Sequence, residues 1–382
     1  MELYIHIPFC RQKCRYCSFA SFTGQEAYFK TYIDLLLKEA VSRKTEATEP
    51  INTIYIGGGT PSLLPPEILS DLVCGLRSVF DLTQVVEFTS ESNPGTVTKE
   101  WLDTAVSLGI NRLSLGMQAY QDRILHLLGR IHCYDDVVSS VLMARSAGFV
   151  NINLDLIFGV PSQTICEWSQ TIDAAMALIP QHISAYGLIP EEGTPLFSDL
   201  EKGSLTLPDS ETERKMYDLF IRKATVSRLR QYEISNFSRE TYSCLHNIGY
   251  WTQIPYIGLG VSAASMTGVR YSPDGMSYNR TVNPDTIEAY ENMILSGRRP
   301  ESESVSPAGA RFETMMLGLR MNCGVNEKEF FRKHGLTMDQ CYGEKLEKLK
   351  CAGLFLHEGN VWKLTSRGFD IQNSILVELM DE

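Results

Sequence analysis

The sequence has no uninterrupted apolar run of the roughly 18 residues that a membrane-spanning helix needs, so no transmembrane helix is expected. It also lacks the basic and apolar start of a secretory leader, opening instead on Met1-Glu2-Leu3-Tyr4-Ile5. Positive charge is scarce. Lys and Arg number 35 against 46 Asp and Glu, a net charge of −11, which argues against a nucleic-acid partner. No internal repeat or low-complexity tract is present, so a repeat array is not expected.

What is present is apolar material and cysteine. Hydrophobic residues make up 43% of the 382 positions, enough for one large domain and a smaller one. Ten cysteines occur, seven of them scattered. Without a secretory leader a disulfide framework is not expected in a chain this long, and a reducing cytoplasm is the expected compartment. The other three, Cys10, Cys14 and Cys17, lie within eight residues of one another.

Short apolar runs at 3–7, 53–56, 85–89, 112–115, 152–157 and 182–188 read as strands. Helical periods lie between them. Phe29, Ile33, Leu36, Leu37 and Ala40 share one face, as do Ile68, Leu69, Leu72, Val73, Leu76 and Phe80 after Pro65-Pro66. A third helix through Val137, Val138, Val141 and Leu142 stops at Gly148. Strand and helix in alternation predict a parallel sheet with right-handed crossovers. Six units are too few for an eightfold barrel, so the expectation is an α/β fold built on a partial, open (β/α)6 barrel. Its chemistry would gather at the C-terminal ends of the strands. The barrel is expected over 1–200, and a less regular, Gly-, Ser-, Pro- and Tyr-rich extension over 201–300. A small winged-helix-like α+β unit is expected over 301–382, with helices at 312–319, 327–333 and 342–350 and strands at 355–358 and 361–364 about Gly359-Asn360. On an acidic chain that unit reads as a cap over the barrel mouth rather than a DNA reader.

The cysteines follow the first strand directly, in His6-Ile7-Pro8-Phe9-Cys10-Arg11-Gln12-Lys13-Cys14-Arg15-Tyr16-Cys17, with the spacing C-x3-C-x2-C. Zinc sites favour four ligands and C-x2-C pairs, and His6 lies within the strand. Thiolates are the natural ligands of a [4Fe-4S] cube, and three of them on one loop would hold three irons. The open fourth iron could then be chelated by the amino and carboxylate groups of S-adenosylmethionine. One electron from the reduced cluster would break the sulfonium C–S bond to give a 5′-deoxyadenosyl radical.

With these residues in view, the sequence resembles the radical S-adenosylmethionine family of oxygen-independent coproporphyrinogen III oxidases, and most of all its heme chaperone branch. The likeness covers nearly the whole chain. It runs through Tyr4-Ile5-His6-Ile7-Pro8-Phe9-Cys10, Gly57-Gly58-Gly59-Thr60-Pro61, Glu91-Ser92-Asn93-Pro94-Gly95 and Arg112-Leu113-Ser114-Leu115-Gly116-Met117-Gln118. It continues in Leu128-Gly129-Arg130-Ile131-His132, Asn153-Leu154-Asp155-Leu156-Ile157-Phe158-Gly159, Tyr232-Glu233-Ile234-Ser235-Asn236-Phe237 and His246-Asn247-Ile248-Gly249-Tyr250-Trp251.

The resemblance implies that Gly58, Gly59 and Thr60 meet the methionine end of S-adenosylmethionine. It implies that Glu91 takes its ribose hydroxyls and that Gln118, Arg130 and Asp155 complete its contacts. Arg130 suits a carboxylate, and the buried acid Asp155 needs a partner, for which Arg130 is the candidate. Tyr4 and Tyr16 are expected beside the cluster or its ligand. The H-N-x-x-Y-W stretch resembles one linked to heme handling, with His246 a candidate axial ligand and Tyr250 and Trp251 candidates for stacking.

Four departures bear on the branch. Phe19 stands where the porphyrinogen-oxidising members carry a further cysteine, and the first strand starts at Glu2 or Leu3, so their N-terminal extension is expected to be absent. Both favour the chaperone branch. Leu245 replaces an arginine common before the His-Asn pair, and Ala264 replaces a histidine, which favours the oxidase side. The expectation is a tetrapyrrole protein, first a heme carrier serving client hemoproteins, alternatively an oxidative decarboxylase of coproporphyrinogen III. A radical enzyme on an unrelated substrate is a third reading. A low-potential electron donor is implied as partner.

Overall fold

The computed structural model describes residues 1–380; positions 381 and 382 of the expected C-terminal unit lie outside them. Six strands follow one another along the chain: β1 (Glu2–Ile7), β2 (Thr53–Gly58), β3 (Glu87–Ser92), β4 (Arg112–Gln118), β5 (Asn151–Phe158) and β6 (His182–Gly187). Between them run α1 (Phe29–Arg43), α2 (Pro66–Val79), α3 (Lys99–Ser107), the pair α4 (Asp122–Leu127) and α5 (Tyr134–Ala147), and α6 (Ile165–Ala177). Every neighbouring pair from β1 to β6 is parallel. The helices start and stop where side chains dictate. Pro66 takes the first turn of α2, where a missing N–H costs nothing. Gly148 ends α5 at φ 109°, a conformation a side chain would oppose.

Period-two alternation splits each strand into two faces. Leu3, Ile5 and Ile7 of β1, Leu113, Leu115 and Met117 of β4, and Ile152, Leu154 and Leu156 of β5 join one core with the helices. The residues between them are polar: Glu2, Tyr4 and His6; Arg112, Ser114 and Gln118; Asn153 and Asp155. A sheet buried among apolar layers on both sides would read as continuous aliphatic runs. Here the inner face is instead a titratable surface, and the site lies at its C-terminal end.

The stretch expected to be irregular is ordered. It holds the helix Ser210–Val226 and strands β7 (Arg230–Gln231), β8 (Asn236–Ser238), β9 (Tyr256–Leu259), β10 (Ala264–Ser272) and β11 (Gly275–Val282), followed by β12 (Ser302–Val305). These extend the sheet at both edges, in the order β12-β11-β10-β9-β1-β2-β3-β4-β5-β6-β8-β7, which leaves it open. β9 pairs parallel with β1 and so adds a seventh parallel strand to the six expected. The sequence hides these strands for a physical reason. β7 and β8 span two and three residues, too few for a period, and β10 exposes most of its second half.

Beyond them, β13 (Val325–Asn326), β14 (Phe355–Glu358) and β15 (Val361–Leu364) form an antiparallel sheet beside the helices Pro307–Gly318, Glu327–His334 and Met338–Cys351. This winged-helix-like unit has its own core around Met315, Phe330, Leu346, Phe355 and Trp362. It docks through polar contacts. Arg280 donates to Glu313 at 2.7 and 2.8 Å, and Lys333 Nζ to the Thr252 carbonyl at 2.6 Å. No described helix is long and apolar enough to cross a membrane.

Candidate functional site

The cysteine loop after β1 is fixed by backbone hydrogen bonds. Cys10 N–H donates to the Phe22 carbonyl at 2.9 Å, and Phe22 N–H to that of Pro8 at 2.7 Å, closing the loop on itself. Arg15 N–H reaches the Leu128 carbonyl at 3.0 Å, and Gln12 Nε2 the Gly129 carbonyl at 3.0 Å. Gly129, at φ +75°, lets this approach happen: a Cβ there would stand 2.8 Å from Arg15 Cγ and 3.0 Å from Arg15 N. Gly59 does the same on the other flank, where a Cβ would stand 2.6 Å from the Phe9 carbonyl oxygen. The glycines after β2 thus serve first to seat the cysteine loop. At Gly58, with φ +107°, a Cβ would strike the His6 ring.

Cys10, Cys14 and Cys17 line a cavity of about 400 Å³, together with Tyr16, Gly58, Gly59, Glu91, Gln118, Arg130 and Asp155. Every strand from β2 to β6 sends a residue to it. Glu91 Oε1 accepts the Tyr55 hydroxyl at 2.8 Å and Oε2 the Gly58 N–H at 3.0 Å, and burial pushes its carboxyl up to about 7. Arg130 donates to Cys14 Sγ at 3.3 Å, to the Gly116 carbonyl at 2.9 Å and to Asn93 Oδ1. Gln118 holds a φ of 62° where the β4–β5 register shifts, a strained position of the kind that clusters at ligand sites. Burial is the first cause that pushes the Cys10 and Cys17 thiols up, with further push from the neighbouring thiols.

The donor set fits an iron–sulfur cluster. Three thiols share one cavity wall, no disulfide links the described cysteines, and a cation stands ready beside one sulfur. Among the described residues, no three His, Cys, Asp or Glu side chains converge as the ligands of a single metal ion.

Several expected partners are placed elsewhere. Asp155 does not pair with Arg130. It accepts from Ser114 Oγ at 2.9 Å and Asn153 Nδ2 at 2.8 Å, neutral donors that satisfy it without an ion pair. Tyr4 faces a neighbouring cavity of about 550 Å³, its hydroxyl 2.9 Å from His6 Nδ1. His6 Nε2 lies 2.8 Å from the Ala20 carbonyl, so neither ring nitrogen is left for a metal. Thr60 sits behind the cysteines, its hydroxyl donating to Cys10 Sγ at 3.6 Å and accepting from Asn93 at 2.7 Å. His246 is fully buried, with Nδ1 2.7 Å from Thr53 Oγ1 and Nε2 2.9 Å from the Tyr250 hydroxyl. Burial and the Arg112 charge hold it down at about 3, and it lines none of the cavities described, so it is not poised as an axial ligand. Its helix, Leu245–Trp251, is capped by Glu87, which accepts the N–H groups of Leu245 at 2.9 Å and His246 at 3.0 Å.

Tyr250 and Trp251, by contrast, line a cavity of about 680 Å³ with Phe158, Tyr186, Tyr217 and Arg320. Tyr186, Gly187 and Ile189 belong both to this cavity and to the one holding the cysteines. Sequence reasoning missed Tyr55, Asn93, Ser114 and Tyr186 as site residues. The signal that could have found them is the polar member of each alternating strand, read at the C-terminal end. Phe19 and Ala264, two of the departures noted above, both line the cavity that Tyr4 faces.

A parallel half-barrel with three cysteines on the loop after its first strand defines a radical S-adenosylmethionine protein. The model of the Radical SAM superfamily matches residues 4–175, and that of the HemN C-terminal domain residues 305–371. The chain is 34% identical over 383 residues to a heme chaperone HemW of Bacillus subtilis (strain 168), covering 99% of each chain. It is 32% identical over 379 residues to heme chaperone HemW of Escherichia coli (strain K12), covering 98% of this chain and 97% of that one. Coproporphyrinogen III oxidase (HemN) from Escherichia coli, a radical SAM enzyme, superposes with a TM-score of 0.84 at 22% identity, over 99% of this chain and 89% of that one, a likeness of fold. The chain belongs to the HemW family of radical SAM proteins, a class whose cofactors are a [4Fe-4S] cluster and S-adenosylmethionine.

Proposed function

We propose that the protein is a heme carrier that retains the radical SAM site, and that the 680 Å³ cavity receives the tetrapyrrole. The observation that carries this reading is the cavity's aromatic wall: Phe158, Tyr186, Tyr217, Tyr250 and Trp251 offer ring faces suited to a flat macrocycle. The relatives' printed name supports it. Client hemoproteins are the destination it implies, and the reducing cytoplasm its place.

Cys10, Cys14 and Cys17 would hold three irons of the cluster. When bound and reduced, the cluster supplies one electron for cleavage of S-adenosylmethionine. The chain's own residues do the positioning. Arg130 steadies the Cys14 sulfur, and Glu91 presents a carboxylate braced by Tyr55 and Gly58 for the ribose hydroxyls. Gln118 and Asp155 supply amide and carboxylate groups from the next two strands, and Tyr16 walls the cavity beside the thiols. Entry of an electron calls for a low-potential donor.

A second reading draws on the wall shared by the two cavities. A substrate held in the larger one would lie next to the S-adenosylmethionine cavity, as oxidative decarboxylation of coproporphyrinogen III requires. One experiment separates them. The protein is reconstituted anaerobically with iron and sulfide, titrated with hemin, and assayed with coproporphyrinogen III, S-adenosylmethionine and a reductant. A Soret shift saturating near one hemin per chain, without turnover, is the result expected of a carrier. Protoporphyrinogen formation would give the decarboxylase reading instead, and a flat hemin titration would end the carrier reading.

A further inference from the structure

The aromatic cavity carries polar atoms that the protein itself leaves unanswered. Arg320 Nε and Trp251 Nε1 are both buried without a hydrogen-bond partner, and both residues line the cavity. They are stacked, with the guanidinium carbon 4.7 Å from the indole ring centroid. A buried donor without an acceptor costs free energy, so such groups in a native protein call for an explanation. Asn236 Oδ1 is unanswered in the same wall, so the cavity offers an acceptor as well as two donors. A ligand entering the cavity can supply the partners that the protein itself does not.

The other charges around the cavity are largely engaged. Arg214 bonds Asp218 at 2.8 Å and pairs with Asp370. Glu233 accepts the Ser235 N–H at 2.9 Å. Glu213 stands beside Gly187, where a Cβ would lie 2.9 Å from its Oε1. Arg320 feels the charge of Glu233, but among the described residues no carboxylate is hydrogen-bonded to its guanidinium, which leaves it the cavity's cation with room for an incoming anion. An arginine fork matches a carboxylate bidentately, and stacking on an indole fixes the plane of that fork in advance.

We propose that Arg320, stacked on Trp251, anchors a carboxylate of the planar ligand in this cavity, of the propionate type that tetrapyrroles carry. The proposal rests on the heme-carrier reading. It assigns anion recognition to the residues just beyond the helix Pro307–Gly318, so the C-terminal unit takes part in choosing the ligand.

Hemin and hemin dimethyl ester share ring and iron and differ in whether their carboxylates are free. Titration of the full-length protein with each should show hemin binding about tenfold tighter, the scale of one charge-assisted hydrogen bond. Arg320→Gln should bring hemin down to the affinity of the ester while leaving the ester unchanged, and Arg320→Lys should recover part of the difference. Equal affinity for the two ligands in the parent protein overturns the anchor while leaving the carrier reading intact. So does a preference for hemin that survives Arg320→Gln, or a loss of ester binding as large as the loss of hemin binding. If the parent protein binds neither ligand, the carrier reading falls and takes the anchor with it.

Discussion

The guanidinium of Arg130 donates to Cys14 Sγ at 3.3 Å across a sequence separation of 116 residues. The same side chain is fastened to the Gly116 carbonyl and to Asn93, so the cation cannot drift from the sulfur. A fixed positive charge favours the thiolate, the form that binds iron.

Arg130→Gln should therefore loosen the cluster without unfolding the chain. Loss of one charge-assisted contact, about 1.5–3 kcal/mol, corresponds to about tenfold or more faster iron release. Anaerobic transfer of iron to a chelator measures it. Release at the parent rate would show that the contact is incidental.

Gly129→Ala tests the seat of the loop from the other side. A Cβ at φ +75° and 2.8 Å from Arg15 Cγ forces the loop outward. Iron bound per chain after reconstitution should fall by half or more, a rough figure for strain of about 1–3 kcal/mol. Thermal unfolding of the apoprotein should shift down by only a few degrees, on the order expected for that strain in a chain of this size.

Glu91 makes a prediction about pH. Its carboxyl is raised from 4.5 to about 7 by burial, so the folded protein holds this proton more tightly than the unfolded chain does. The folded state thus binds more protons between these values, and stability falls as pH rises from about 4.5 through about 7. Glu91→Gln should flatten that part of the profile, with a difference of up to about 3 kcal/mol by pH 8. Urea midpoints of apoprotein and variant across pH 5–8 would record it; parallel profiles would mean that the group titrates normally.

His246→Gln should leave the Soret maximum of the hemin complex where it is, because both ring nitrogens are already bonded inside the protein. Stability should drop by roughly 1–3 kcal/mol, as buried hydrogen bonds with Thr53 and Tyr250 are weakened or lost. A displaced Soret band would make the histidine a ligand after all.

The barrel was legible because its first six parallel strands carry strong apolar signals at Leu3, Ile54, Phe88, Leu113, Leu154 and Ile183 and are separated by amphipathic helices. The cysteine loop was legible from spacing alone. The edge strands were not, since a two-residue strand such as Arg230–Gln231 has no period to read. Partner choice was also beyond the sequence. Asp155 is served by Ser114 and Asn153, residues whose small side chains carry no sign of that duty, and an arginine was the more obvious candidate. His246 illustrates the converse: a residue type known for ligation is consumed here by Thr53 and Tyr250 in holding a helix within the barrel.

The wall formed by Tyr186, Gly187 and Ile189 would have two occupants to answer to, because the same residues line both cavities. Whatever free energy a guest on one side spends or gains by shifting that wall must be returned identically to the guest on the other. If S-adenosylmethionine tightens the hold on the tetrapyrrole by some factor, the tetrapyrrole tightens the hold on S-adenosylmethionine by the same factor; if it loosens the one, it loosens the other. Were both guests bound, cleavage of S-adenosylmethionine would change the grip on the cargo by that same factor, and one thin partition would link a chemical event to release.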